Sequence, residues 1–435
     1  MEFSAASDTA NAASPTTAPA AAQPARRTVR LAVIGAGPVG LALALLASRQ
    51  WPQAEITVFD ARPADKDVSA DPRTLALSLG SVQLLQQLGV WPQALAQPIL
   101  QVHVSQAPPT FSGAAAVLGG LLQPEVRLSA EAEGVPMLGA VLAYGQVVAP
   151  LQAAWLQACA TDPQRCRMRF GSPVAGLKNL TAMVEVDAGI AEGFDLAVVA
   201  EGGVFADQAR KAVARDYQQT AWVGRVTLDD SAPMGSAFER FTRHGPVALL
   251  PLLPLRRPEA AADAPAGTRS AALVWCVPST DDPVAGLSDA QRRTVLASLL
   301  PPAAGRLLAI SPLKSFALGL NAERTLVAGR QVRIGNAAQT LHPVAGQGLN
   351  LGLRDAHALV QTLRGADDLD AALRRVEWAR APDRWSMIAA TDFLARSFTW
   401  QWPGMAAARG LGLAALQALP PVKSALARQM MFGRR

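Results

Sequence analysis

Two glycine-rich segments almost 300 residues apart constrain this chain more than any other feature. The first is Val33-Ile-Gly35-Ala-Gly37-Pro-Val-Gly40. The second runs from Arg333-Ile-Gly335-Asn336 through Gln339, His342-Pro343 and Gly346-Gln347-Gly348-Leu349-Asn350 to Gly352 and Asp355. Arg30 to Ile34 reads as a short, mostly apolar strand and Leu41 to Ala47 as a helix-forming run. The first segment is therefore a G-x-G-x-x-G turn between strand and helix. In that setting Gly35 permits the turn, Gly37 lets the backbone approach a pyrophosphate, and Gly40 lets the helix sit close to the strand. The helix N-terminus offers unpaired N–H groups and the positive end of its dipole to phosphates. Ile56 to Asp60 reads as the next strand. Asp60 lies 20 residues after Gly40, where a carboxylate accepts hydrogen bonds from an adenosine ribose.

In the second segment Val332 to Ile334 looks like a strand end. Pro343 and the following glycines bring a loop into a helical stretch, Leu351 to Arg364. Successive N–H groups at a helix N-terminus suit a partial negative charge, such as that on N1–C2=O of an isoalloxazine. Asn336 is a hydrogen-bonding partner for a ribityl hydroxyl or a phosphate oxygen. A structural turn would explain either segment alone. The pair implies one long dinucleotide held at both ends, FAD rather than NAD.

The chain resembles the FAD-dependent aromatic hydroxylases of the p-hydroxybenzoate hydroxylase type, and within them the ubiquinone-biosynthesis hydroxylases of the UbiH type. The resemblance rests on Gly35 to Gly40, on Asp71-Pro-Arg73-Thr-Leu-Ala-Leu-Ser78, and on Ile334 to Asn350. Weaker echoes are Glu239-Arg-Phe-Thr242, Gly245 to Pro251 and Arg428 to Gly433, so that it spans roughly residues 29 to 433 in order. It implies an α/β fold, with an FAD-binding Rossmann-like domain of the glutathione reductase type interleaved with an antiparallel-sheet substrate domain, plus C-terminal helices. It also implies a monooxygenase whose flavin C4a-hydroperoxide hydroxylates the ring of a prenylated phenol in ubiquinone biosynthesis. FAD, dioxygen and NAD(P)H or another electron donor are the co-reactants. The cofactor carries the hard chemistry, so no side chain is assigned a catalytic role, and no metal is called for.

Residue by residue, the resemblance gives Gly35, Gly37 and Gly40 the pyrophosphate loop and Asp60 the ribose. Arg73 matches an arginine near the cofactor. Pro343, Gly346, Gln347, Gly348, Leu349 and Asn350 match the loop against the flavin ring. Two departures stand out. The wider family has Gly-Asp where this chain has Gly335-Asn336, which keeps a hydrogen bond and loses a charge. It has Asp-Gly where this chain has Glu201-Gly202, one methylene longer. Two other function classes remain open: a flavoprotein oxidoreductase that inserts no oxygen, and a flavin-binding scaffold in a quinone-biosynthesis complex.

Bulk properties set limits. With 435 residues, 50% hydrophobic and 17% charged, the chain can bury a large core in two or three domains. A net charge of +6 raises nucleic-acid binding, but no basic run carries interleaved aromatics, and no nucleic-acid partner is expected. A basic surface facing anionic lipid suits a membrane-dwelling substrate better. Cys159, Cys166 and Cys276 have no metal spacing and read as free thiols in a reducing cytoplasm. No apolar stretch reads as a spanning helix. The expected location is cytoplasmic, with association at the inner membrane surface. His342 falls in the flavin-loop motif, and both a structural role and a place near the ring are open to it.

The expected layout interleaves segments. Residues 1–28 form an Ala/Pro/Ser/Thr-rich disordered leader. The FAD-binding parts are 29–98, 145–205 and 313–368. The substrate-domain parts are 99–144, with an insertion at 107–133, and 206–312. Residues 369–435 are helical. Leu373, Val376, Trp378, Ile388, Phe393 and Leu394 suggest packed helices, and Phe398, Trp400 and Trp402 an aromatic cluster. The last apolar runs, Leu411 to Leu419 and Leu426 to Phe432, have two readings: helices capping the core, or an interfacial or partner-docking tail.

Overall fold

The computed structural model describes residues 28–107, 124–201, 211–254, 267–343, 346–397 and 404–434, the side chains of 211 and 212 excepted. Outside them lie the leader to residue 27, the centre of the 107–133 stretch, Gly202 and Gly203, most of the 256–269 loop, and the cluster of Phe398, Trp400 and Trp402.

Val29–Ile34 sits inside a six-stranded sheet. It pairs in parallel with Ala54–Phe59 on one side and Leu196–Val199 on the other, Val33 standing opposite both Val58 and Val198. Cys166–Arg169 continues the sheet past Ala54–Phe59, and Gln331–Arg333 past Leu196–Val199. Val327–Ala328 folds back on that edge as a short hairpin. Strands covered on both faces need apolar side chains throughout, and Leu31 to Ile34 and Leu196 to Val199 are buried without a break. On one face lie the helices Pro38–Gln50, Tyr144–Thr161 and Gln347–Leu363, around a core that includes Leu41, Leu45, Trp155, Leu353 and Leu359. The other face is covered by a three-stranded meander, Gly176–Asn179, Val184–Asp187 and Ala191–Phe194. Val184, Val186 and Phe194 pack there on Ala32, Ile34 and Phe59.

A nine-stranded, mostly antiparallel sheet forms the second body. Its long strand Lys211–Leu228 pairs with Arg269–Pro278, with Lys314–Glu323 and with Leu307–Ile310. Gly245–Leu252 and Ser236–Thr242 follow, and Gln101–Gln106 then joins Ser236–Thr242 in parallel. Helix Asp289–Leu299 covers the outer face, with Leu296 against the cluster of Val226, Leu273 and Trp275. Its start is fixed by a capping box between Ser288 and Gln291. The weak alternation of Val247 to Leu250 has a cause in this packing. Val247 and Leu249 are buried under that helix, and Leu250 packs inward against the opposite layer.

Three expectations need correction. The sequence layout places Lys314–Glu323 at the opening of the third FAD segment, yet this strand belongs to the large sheet, so the crossing falls near residue 323 rather than 313. Gly139–Ala143, assigned to the substrate domain, pairs with Thr74–Ser78 and Gln97–Ile99 in a small sheet between the two bodies. Trp378 and Phe393, expected in helix packing, are 80% and 60% exposed. They occupy the outward face of Leu369–Ser397, whose inward face carries Leu373, Val376 and Ile388.

That helix is also held by charge. Asp355, without exposed surface, accepts from Arg380 Nε at 2.8 Å and from Gln339 Nε2 at 3.1 Å. Arg380 Nη2 also reaches Asp383 at 2.8 Å, Asp383 takes Arg354 Nη1 at 3.1 Å, and Arg384 Nε donates to Gln339 Oε1 at 2.7 Å. Of the last helices, Met405–Ala418 buries Gly410, and Pro420–Phe432 packs inward through Ala427 and Met431; Leu411, Leu419, Val422 and Leu426 stay exposed. Among the described residues no helix is long and apolar enough to cross a membrane.

Candidate cofactor site

The two glycine segments meet. Helix Pro38–Gln50 begins after Gly37, with Pro38 in its first turn and no acidic residue there. Helix Gln347–Leu363 begins after Gly346, whose φ of +59° is the left-handed conformation that glycine adopts without strain. Both N-termini open on one pocket of about 790 Å³, a volume typical of cofactor sites. In each first turn the backbone N–H groups have no intrahelical acceptor, and both dipoles present their positive ends.

The closest approaches explain the glycines. A Cβ on Gly40 would lie 2.0 Å from the Gly35 carbonyl oxygen. One on Gly352 would lie 2.8 Å from Gly335 Cα and from Val39 Cγ2. These two glycines weld the helices to the turns beneath them. Gly37 differs: a Cβ there would meet nothing nearer than the Tyr144 hydroxyl at 3.5 Å. It faces space rather than protein. A cradle that a side chain would fill, two helix N-termini and no first-turn acid fit a pyrophosphate-bearing group.

Seven of the residues singled out from the sequence line this pocket: Gly35, Gly37, Asp60, Arg73, Asn336, Gly348 and Leu349. Asp60 sits at the end of its strand with Oδ2 accepting from the Ala36 N–H at 2.6 Å. Its Oδ1 accepts from the Arg62 backbone N–H and Nε, each at 2.8 Å. Arg73 pairs with Asp71 at 2.7 Å and stacks on the Tyr144 ring at 4.2 Å. The hydrogen bond from this guanidinium holds the Asp71 carboxyl below the usual carboxylate range. Glu201 packs over the first turn, where a Cβ on Gly35 would be 2.8 Å from its own Cβ. Burial, reinforced by the nearby Asp60 charge, raises its carboxyl pKa.

The other five lie behind the wall. Gly40 packs on Gly35, and Pro343 is exposed. Gly346 caps its helix. Gln347 accepts from Arg354 Nη2 at 3.1 Å. Asn350, buried, takes the Ser78 N–H at 2.8 Å and donates to the Ala76 and Gly346 carbonyls at 3.0 and 2.9 Å. Asn350 thus clamps the second glycine loop to the Thr74–Ser78 strand. Sequence reading missed Arg62, Lys66 and Tyr144 on the pocket wall. Arg62 had a signal, a cation two residues past the strand-end acid. Tyr144 had none beyond being one of two tyrosines.

His342 is buried away from this pocket's lining, with Nε2 2.9 Å from Gln219 Oε1 and its ring edge-on to Tyr217. Burial lowers its pKa from 6.5 to about 4. Between those values the unfolded chain takes up a proton that the folded chain refuses, so stability falls as pH drops through 6.5 toward 4. At pH 5 this one group is expected to remove about 2 kcal/mol. His342→Asn does not titrate there, so its urea-unfolding free energy should change correspondingly less between about pH 7 and pH 5. Identical changes in both proteins would discount the histidine as the source.

The comparisons agree with this geometry. A family described as "FAD binding domain" matches residues 253–368, which contain the second glycine segment. An uncharacterized protein from Synechocystis, slr1300, is 34% identical over 215 residues, 48% of each chain. The 3-demethoxyubiquinol 3-hydroxylase of Escherichia coli is 29% identical over 403 residues, covering 89% of this chain and 94% of the relative. Klebsiella pneumoniae HpxO, solved with FAD and uric acid, superposes with a TM-score of 0.68 over 93% of this chain and 97% of its own at 18% identity, and so shares the fold. With these relatives and the matched family, the chain is an FAD-dependent flavoprotein of the monooxygenase class. More closely, the chain is similar over nearly its whole length to ubiquinone-biosynthesis hydroxylases, the Escherichia coli relative above and the ubiquinone hydroxylase UbiL of Rhodospirillum rubrum, 29% identical over 92% of this chain and 88% of the relative.

Proposed function

We propose that this chain is an FAD-dependent monooxygenase that hydroxylates the aromatic ring of a prenylated phenol in ubiquinone biosynthesis. The observation that carries the reading is the convergence of both glycine-capped helix N-termini on one pocket, in a chain alike over nearly its whole length to a ubiquinol hydroxylase. FAD, once bound and reduced, supplies the activation of dioxygen that side chains lack.

The protein's part is to bind, orient and exclude water. Gly35 and Gly37, with the free N–H groups after them, take the pyrophosphate, while Gly40 holds the helix in place. Asp60 accepts from the adenosine ribose, its carboxylate pre-aimed by Ala36 and Arg62. Asn336 hydrogen-bonds the ribityl chain. The N–H groups around Gly348 and Leu349 stabilise negative charge on the flavin ring. Arg73, stacked on Tyr144, closes the outer wall. Pro343, Gly346, Gln347 and Asn350 shape the flavin loop from behind. The substrate lies between this loop and the large sheet, where the apolar side chains of Val102, Ala237 and Leu250 suit a prenyl chain and keep water out. The exposed Leu411, Leu419, Val422 and Leu426, flanked by Lys423 and Arg428, support contact with an anionic lipid surface. NAD(P)H or another donor reduces the flavin.

The test is a mass-spectrometric profile of prenylated phenols and quinones in cells lacking the gene. A prenylphenol short of one ring hydroxyl should accumulate, and ¹⁸O₂ should label the product in complemented cells. A normal quinone pool in a strain without a second hydroxylase would refute the pathway. Product free of label would make the protein a flavin oxidoreductase that inserts no oxygen.

A further inference from the structure

Glu239 stands on Ser236–Thr242, opposite Ala248 on one side and Val104 on the other. Side chains alternate across a strand, so Ala237, Glu239 and Phe241 share one face, and Phe238 and Arg240 the other. Arg240 Nε donates to Leu299 O, and Phe238 packs in the cluster under helix Asp289–Leu299. The Glu239 face is therefore the opposite one, toward the cofactor body.

Three contacts border this face. Ala237, two residues before Glu239, packs with Met431 of the last helix and with Leu79 beside the flavin-side strand. Gln106, opposite Phe241 two residues after Glu239, donates to the Ala406 carbonyl at 3.2 Å. Farther along the sheet, Gln219 meets His342 of the flavin loop. Glu239 lies between these contacts. Its Oε1 is sealed from solvent and has no hydrogen-bond partner among the described residues. A buried polar atom without a partner is costly and calls for an explanation. Arg240 cannot supply one from the far face.

We propose that Glu239 is the residue that receives the phenolic hydroxyl of the substrate, as hydrogen-bond acceptor and then as general base. This rests on the hydroxylase reading above. The phenol O–H bond breaks, its proton passes to Oε1, and the electron pair left on oxygen is shared into the ring. An ortho or para carbon, made electron-rich, then bonds to one oxygen atom of the dioxygen that reduced flavin would activate, and the O–O bond breaks with its electron pair on the other oxygen. That carbon loses its own hydrogen as a proton, which goes to the departing oxygen and leaves with it as water, and Glu239 returns its proton to the phenolic oxygen as aromaticity is restored. The position suits that role, because burial raises the Glu239 carboxyl to about 7, where a general base works best at neutral pH. The titratable and charged groups bordering this face among the described residues do not compete. The Cys276 thiol is pushed far up by burial, His342 is neutral above about pH 4, and Arg409 at the Gln106 end is a cation.

The experiment uses the holoenzyme, its flavin chemically reduced with 2-geranylphenol bound, mixed with oxygenated buffer across about pH 5.5–9. Binding is followed separately by the flavin absorbance change, with 2-geranylanisole as the methylated control. Wild type should prefer the phenol to the anisole and hydroxylate faster along a limb near pH 7. Glu239→Gln should keep its flavin and its preference for the phenol, but hydroxylate about 100-fold or more slowly and lose the limb. Glu239→Asp should regain the limb. Glu239→Leu should bind phenol and anisole equally. An unchanged limb and rate in Glu239→Gln, with normal flavin content, would overturn the assignment of Glu239 alone. A wild-type holoenzyme that binds the phenol no better than the anisole would overturn it as well. Failure of flavin-replete wild type to bind either compound would overturn the hydroxylase reading and this proposal with it.

Discussion

Gly37→Val yields a folded protein that retains no flavin. The Gly37 Cβ position opens into the pocket, with only the Tyr144 hydroxyl at 3.5 Å, so the added methyls displace cofactor rather than protein. A pyrophosphate drawn to the helix N-terminus needs that closeness, and the expected loss in FAD affinity is a hundredfold or more, about 3 kcal/mol. Purified variant should show the wild-type thermal transition of apoprotein and a flavin absorbance near zero. Gly40→Ala is the contrasting control, because its Cβ would lie 2.0 Å from the Gly35 carbonyl oxygen. It should lose stability and flavin together. Flavin content in Gly37→Val equal to wild type would remove this loop from the cofactor site.

Asp355→Ala is expected to be the most destabilising of these single changes. It takes from Arg380, 5% exposed, one of its two carboxylate partners, and takes the partner from Gln339 Nε2. Breaking a buried pair by deleting one member costs about 3–5 kcal/mol, a large part of a domain's net stability. Denaturant unfolding at neutral pH measures it. Asp355→Asn should recover part of the loss, because its amide oxygen still accepts from Arg380. A loss under about 1 kcal/mol in Asp355→Ala would mean that Asp383 alone suffices to hold the arginine. Gln339 follows the Gly335-Asn336 turn, so flavin release should also quicken in the alanine variant.

The strands, turns and helices around the candidate cofactor pocket were legible because glycine turns leave local marks. Glycines at fixed offsets, a strand before and a helix after, and an acid at the next strand end are all read from short windows. Segment ends in the sheets were close for the same reason: Leu196–Val199 and Leu31 to Ile34 are continuous apolar runs. The boundary at 313 was missed because Lys314–Glu323 carries no sign of its partner. Its pairing with Lys211–Leu228 is set by residues roughly a hundred positions away. Trp378 misled because helical spacing shows that an apolar side chain belongs to a stripe without showing whether that stripe is covered. The Asp355–Arg380–Asp383 cluster was invisible as such, since its members are ordinary surface residue types whose burial only tertiary contact creates. Tyr144 reaches the pocket because Gly139–Ala143 pairs with Thr74–Ser78, a contact absent from either segment's own pattern.

The order of strands in the parallel sheet bears on how the chain is made. Val29–Ile34 leaves the ribosome early and pairs at once with Ala54–Phe59, but its other neighbour, Leu196–Val199, is still about 140 residues from synthesis. At roughly 5–20 residues per second that edge waits for about 7–28 s, and the edge of Leu196–Val199 waits as long again for Gln331–Arg333. Unpaired strand edges recruit other chains, so the nascent protein carries its greatest aggregation hazard in midsynthesis. Flavin cannot relieve it, because the second helix that faces the cofactor begins only at Gln347. Cofactor capture thus waits for the second helix, and cellular FAD supply acts on a chain that already holds both glycine segments.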